Sequence, residues 1–221
     1  MTTPLMDVYR RLHDAFGPQY WWPGESPLEV IVGAVLTQNT NWRNVDRAIA
    51  NLRAADLLEL HALSRVAQEE LAELIRPAGY YRVKAKRLHA VFSFLVDRFD
   101  GSLEAMFATP MDVLRQELLA IHGVGPETAD SILLYAGHLP SFVVDAYTHR
   151  VLARHGWIDF DADYHQIQDH FENSLPAEVA LYNEYHALLV HLGKHYCRKS
   201  KPKCDACPLN DLLPDGGPLE P

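Results

Sequence analysis

The run Ile121-His122-Gly123-Val124-Gly125-Pro126-Glu127-Thr128-Ala129-Asp130 sets a Gly-x-Gly turn between two stretches of helical spacing, and Asp145 follows twenty residues after Gly125. Glycine accepts the positive φ that ends a helix, and proline suits the first turn of the next, where its missing N–H is not needed. The amides from Gly123 to Thr128 are then expected to point outward at a helix start, a seat for a phosphate or a bridging cation. Taken alone, the same residues also suit an ordinary corner between two helices. Asp145 follows the apolar Phe142-Val143-Val144 and has the position of a helix N-cap. A capping carboxylate accepts backbone N–H bonds that favour its charged form. Once charged, it can stabilise an oxocarbenium-like sugar or activate a water.

A second group of chemically capable residues lies near the end of the chain. Cys197, Cys204 and Cys207 are its three cysteines. They are too few and too close for a disulfide framework and read first as a metal or cluster site. Between the first two lies Arg198-Lys199-Ser200-Lys201-Pro202-Lys203, whose four cations would face a nucleic-acid backbone from a loop tied at both ends. Each phosphate contact of that kind adds about one to the salt slope of binding. Arg82, Lys84, Lys86 and Arg87 form another basic group. Either group could instead be a solvated face.

Helical periodicity supplies the elements that must position these residues. Apolar residues recur at helical spacing over Val8–Phe16, Pro27–Leu36, Trp42–Leu52, Ala67–Ile75, Val83–Phe99, Met111–Ile121 and Thr128–Ala136. The same spacing covers Tyr147–Arg154, Tyr164–Phe171 and Ala177–Leu192. Strand-like alternation is absent, so an all-α protein of about ten helices is expected. The tail from Asp211, with Pro214, Gly216, Gly217 and Pro218, is expected to fray.

Composition narrows the class. With 221 residues and 48% hydrophobic content the chain can bury a real core. No apolar run reaches the roughly eighteen residues of a membrane span, and the first residues lack an apolar signal core. An intracellular, cytoplasmic protein is therefore expected. The net charge of −9 argues against indiscriminate coating of DNA, though a local basic patch can still bind it.

Several segments, in order, resemble the helix-hairpin-helix DNA glycosylase superfamily and within it the endonuclease III branch. They are Ala34-Val35-Leu36-Thr37-Gln38-Asn39-Thr40, Gly79-Tyr80-Tyr81-Arg82-Val83-Lys84-Ala85, the Gly123–Gly125 hairpin, Val143-Val144-Asp145 and the cysteine run. The resemblance implies two helical lobes, residues 1–26 with 137–221 and residues 27–136, with the base pocket in the cleft between them. It implies a monomer acting on double-stranded DNA that contains a damaged base. Gln38 stands where the family inserts a side chain into the gap left by a flipped nucleotide. As a residue type at a helix end, it could equally bond to backbone.

In bifunctional members of the family the hairpin carries a lysine that attacks the sugar; here that residue is Glu127. A carboxylate cannot form a Schiff base, so hydrolysis without strand cleavage is expected, with Asp145 assisting base departure and attack by water. Glu127 also suits the first turn of a helix by charge. Tyr20-Trp21-Trp22-Pro23 is similar to an element of the endonuclease III-related 3-methyladenine glycosylases. Indoles at Trp21 and Trp22, with Trp42 as a pocket wall, could stack on a cationic alkylated purine, although all three could also be plain core. Mismatch glycosylases acting on thymine, uracil or adenine, and a non-catalytic binder of damaged DNA, are the competing expectations. The family's iron–sulfur loop has a fourth cysteine where this chain has Leu213. A cluster would need another fourth ligand, such as Asp211, His195 or a water, or would be a three-iron form. Zinc held by three Cys and one His, or thiols without metal, are the alternatives.

Overall fold

The computed structural model describes residues 5–21 and 24–220, so Trp22 lies outside the described residues. Those residues hold twelve α-helices and no strand. The chain forms two compact units, Met1–Trp22 with Pro140–Pro221, and Pro23–Leu139.

The Pro23–Leu139 unit is built on α2 (Pro27–Leu36), in which every residue from Leu28 to Leu36 is buried. Ser26 caps it, accepting the Glu29 N–H, and Pro27 occupies its first turn. A helix apolar on all sides must be surrounded, and α3 (Trp42–Ala54), α6 (Tyr81–Phe99), α9 (Pro126–Ser131) and the π-helical turn Ile132–Ala136 surround it. Burying each Val, Ile or Leu of α2 contributes about 1.5–3 kcal/mol before chain entropy is counted. The helices α4 (Leu60–Arg65), α5 (Gln68–Leu74), α7 (Leu103–Phe107) and α8 (Met111–Leu119) complete this unit. The six-residue α4 and five-residue α7 span too few turns for apolar spacing to register, and the sequence reading missed both.

The other unit packs α1 (Leu5–Phe16) and α10 (Ala146–Arg154) against α12 (Val179–His195), with α11 (Tyr164–Glu172) beside them. Leu5, Val8 and Leu12 of α1 are buried, and the Tyr185 hydroxyl of α12 donates to the Leu5 carbonyl at 2.8 Å. Phe142 stacks on Phe171 with ring centroids 3.9 Å apart, which fixes the strand-like segment leading into Asp145. The tail is held rather than frayed, correcting the expectation. Leu219 donates its N–H to the Arg154 carbonyl at 2.9 Å, Glu220 pairs with the Arg154 guanidinium at 2.8 Å, and Asp211 pairs with Arg11 at 2.7 Å. No helix among the described residues is long and apolar enough to cross a membrane.

Candidate active site

Gly123 closes the hairpin between α8 and α9 with φ at +87°, a conformation that strains any side chain. A Cβ there would also lie 2.4 Å from Cγ of Arg87, so Arg87 crosses directly over the glycine. Gly125 differs. Its φ is −97°, and a Cβ would meet nothing within 4 Å. The protein's own packing therefore demands glycine at 123 but not at 125, where the bare backbone borders open space.

The remaining hairpin residues divide between core and surface. Val124 is buried and its N–H is spent on the Ile121 carbonyl at 3.0 Å, while Pro126 has no N–H. The expectation that all amides from Gly123 to Thr128 face outward is corrected accordingly, because closing the turn consumes one of them. Thr128 is buried, and its hydroxyl accepts from Nε2 of Gln38 at 2.9 Å. That same amide nitrogen donates to the Gly123 carbonyl at 3.1 Å, and the Gln38 oxygen accepts from Nη1 of Arg87. Both ends of the Gln38 amide are thus engaged, the nitrogen by the hairpin and the oxygen by Arg87 of α6. Glu127 is exposed in the first turn of α9, where its charge suits the helix start.

Lys84 departs from the sequence reading. Sequence position groups it with Arg82, Lys86 and Arg87 as a basic patch, yet it is 1% exposed. Its ammonium donates to the carbonyls of Leu36 at 2.9 Å and Ala78 at 2.8 Å. Burial, with the Arg87 cation close by, pushes its pKa down to about 8. The side chain works as a staple between the end of α2, two residues before Gln38, and the turn before α6. A buried amine whose protons go to two carbonyls is not presented to a sugar.

In the other unit Asp145 caps α10 as expected, with Oδ1 accepting the Thr148 N–H at 2.7 Å. Its Oδ2 lies 3.7 Å from Nε2 of His186, and the carboxylate keeps 12% of its surface exposed. His186 sits on α12 and is buried. Burial lowers its pKa while the Asp145 charge acts in the opposite direction.

The aromatic candidates separate between units. Trp21 is half-buried in the unit that contains Asp145, and Trp42 is half-buried as the first residue of α3 in the other. Tyr20 and Tyr80 enter the sequence reading only as members of longer segments, not as site residues. Among the described residues they are the most exposed large hydrophobic side chains, at 85% and 73%, and hold positive φ of 53° and 46°. A tyrosine kept in solvent on strained backbone is costly to the fold alone, and nothing in residue spacing would have revealed it.

Cys197, Cys204 and Cys207 line one small cavity, together with Arg154, His155, Leu213 and Pro218. Leu213, at the position of the missing cysteine, closes the wall with carbon. Asp211 is paired with Arg11, and His195 lies against the His191 ring, so neither suggested fourth ligand lines the cavity. Among the described residues no three His, Cys, Asp or Glu side chains converge as a single metal ion requires. Burial pushes the Cys204 and Cys207 thiols up, toward the protonated form. Three thiols and the carbon of Leu213 fall one donor short of the four-thiolate site that the endonuclease III resemblance implies.

What holds this loop is arginine. Arg154, 4% exposed, donates to the carbonyls of Arg198 at 2.7 Å and Lys199 at 3.2 Å, and to the Cys197 sulfur at 3.6 Å. Arg150 donates to the carbonyls of Cys197 at 2.8 Å and Gly193 at 3.0 Å. With its backbone fixed, the loop displays Arg198, Lys199, Lys201 and Lys203 to solvent. Neither arginine was singled out from sequence, because an internal anchor and a solvated cation look alike there.

A helical hairpin with one bare glycine, a capping carboxylate and a tied basic loop define the class of helix-hairpin-helix proteins that handle DNA. The comparisons agree. The HhH-GPD superfamily of base excision DNA repair proteins matches residues 32–177, and the chain belongs to that family. It is a DNA glycosylase of base excision repair by family. A Methanocaldococcus jannaschii protein provisionally described as a DNA repair glycosylase is 52% identical over 210 residues, 94% of each chain. Among solved structures, a 3-methyladenine DNA glycosylase of H. pylori bound to 1,N6-ethenoadenine is similar at 29% identity with a TM-score of 0.74, covering 86% of this chain and 97% of that one. Endonuclease III trapped as a covalent intermediate with DNA has a TM-score of 0.82 at 23% identity, over 96% of this chain and 95% of that one, a likeness of fold.

Proposed function

We propose that this chain is a monofunctional DNA N-glycosylase, which hydrolyses the bond between a damaged base and its sugar and leaves the strand intact. The observation that carries this reading is the exposed carboxylate of Glu127 in the hairpin, where strand cleavage through a Schiff base needs an amine. Lys84, whose lowered pKa would suit a nucleophile, is committed to two backbone carbonyls. In this reading Asp145 supports the positive charge that develops on the sugar as the base departs, and takes a proton from the attacking water. Its Oδ1 is fixed by the Thr148 N–H and its partial exposure leaves room for a water or sugar.

Alkylated purines, 3-methyladenine first, are the proposed substrates. Their positive charge already weakens the glycosidic bond, so one carboxylate suffices, and Trp21 offers an electron-rich face for stacking. The likeness to the 3-methyladenine glycosylase supports this choice. The proposed DNA contacts are the backbone at Gly125, the cations of residues 198–203 and, once released from the hairpin, Gln38. The partner is double-stranded DNA with a damaged base, bound by a monomer.

The test is base release from alkylated duplex DNA, with the freed bases identified and a Gly125→Ala protein assayed for binding alongside. Release of 3-methyladenine supports the reading. Release of only thymine or uracil from mismatches would replace the substrate, and binding without release would replace the enzyme by a binder.

A further inference from the structure

His186 lies at the middle of α12, buried, with Nε2 facing Oδ2 of Asp145 across 3.7 Å. That separation exceeds a hydrogen bond, so a neutral imidazole leaves the lone pairs of Oδ2 available, whereas a protonated one would make an ion pair there. The two oxygens of Asp145 are therefore in unequal situations. One is held by the backbone of α10, and the other faces a ring that can change charge.

Several ionisable groups of α12 and of the helices packed on it have partners of their own. Arg150 of α10 points to the carbonyls of Gly193 and Cys197 at the far end of the helix. Glu184 of α12 accepts the Gln19 N–H at 2.6 Å, and the Tyr185 hydroxyl is bonded to Leu5. On α1, Asp7 and Arg11 pair with each other, and Arg11 also pairs with Asp211. Asp145 supplies the charge that acts on the His186 ring.

We infer that His186 is a positioning residue that gates Asp145: neutral, it leaves the carboxylate with its full charge for the sugar, and protonated, it pairs with Oδ2 and silences it. This rests on the role given to Asp145 above. Departure of the base leaves a positive charge on the sugar, and a carboxylate already paired with an imidazolium stabilises that charge far less. The pair is active with a net charge of −1 and inactive with a net charge of zero. Burial favours the neutral ring and moves the loss of activity to more acid conditions.

Two measurements test the gate. Single-turnover base release is followed against pH for the native chain and for His186→Asn and His186→Gln. The native rate should fall tenfold for each pH unit below the titration of the His186 ring, and both variants should lose that acid limb. An acid limb unchanged in a folded variant would overturn the inference. The second measurement needs no activity: the His186 ring is titrated by NMR in the native chain and in Asp145→Asn. Removing the charge should lower the ring pKa by about one unit, a tenfold loss of proton affinity. An unmoved titration would overturn the gate, and if Asp145→Asn were also inactive, the role of Asp145 would survive that failure. An active Asp145→Asn protein would overturn both.

Discussion

The hairpin and the cysteine loop each depart from the endonuclease III pattern at a single residue, and the two departures have opposite structural consequences. Glu127 stands exposed in the first turn of α9, where a carboxylate suits the helix start, so exchanging an amine for an acid changes chemistry and leaves the fold alone. Leu213 lines a small cavity beside three thiols, and the loop they belong to is held by Arg154 and Arg150. The two positions differ in what surrounds them: Glu127 stands in solvent, and half-buried Leu213 lines a cavity whose loop the two arginines hold.

That contrast can be broken at its buried end first. Replacing Arg154 with Leu would strand the carbonyls of Arg198 and Lys199 and release the tail at Glu220. A loss of about 3 kcal/mol is expected, with weakened DNA binding, read by urea unfolding and by the salt dependence of affinity. Unchanged stability would mean that something other than the arginine holds the loop. At the exposed end, Glu127→Lys should alter stability by no more than about 0.5 kcal/mol. It should also yield an enzyme–DNA adduct trapped by borohydride, with none expected from the native chain. Loss of folding in that variant would contradict the division drawn here.

Gly125→Ala sharpens the hairpin further. Its φ of −97° and the open space beyond it predict an unchanged melting temperature but DNA affinity weakened about tenfold. A lowered melting temperature with normal affinity would assign the glycine to packing. The smallest effect is expected from pH. Burial lowers the pKa of His155, His170, His186 and His191 below the usual 6.5, so the unfolded chain binds these protons more readily than the folded one. Stability is full above pH 6.5 and declines as pH falls through that value, levelling off below the folded-state titrations. Melting temperatures measured from pH 8 to 5 should therefore drop on the acid side; a flat profile would contradict the burial of these rings.

Much of this architecture was legible in the residues because helices announce themselves by spacing. The runs at Pro27–Leu36 and Val83–Phe99 agree with α2 and the body of α6, and Asp145 caps α10 as its position suggested. What stayed hidden was the direction of long polar side chains. Lys84 reads as one cation of a patch but is buried as a staple, and Arg154, which nothing in the sequence singles out, anchors the cysteine loop. The contact between His186 and Asp145 joins residues 41 positions apart, which periodicity cannot reveal.

The central claim is base excision without strand cleavage, and the most direct measurement follows free bases and strand nicks from one alkylated duplex before and after hot alkali. Native protein should release 3-methyladenine and leave strands that break only after alkali. Asp145→Asn should lose about 10²-fold or more of that release while still binding DNA. Strand breaks without alkali would contradict the account, because they would require a nucleophile that Glu127 cannot provide.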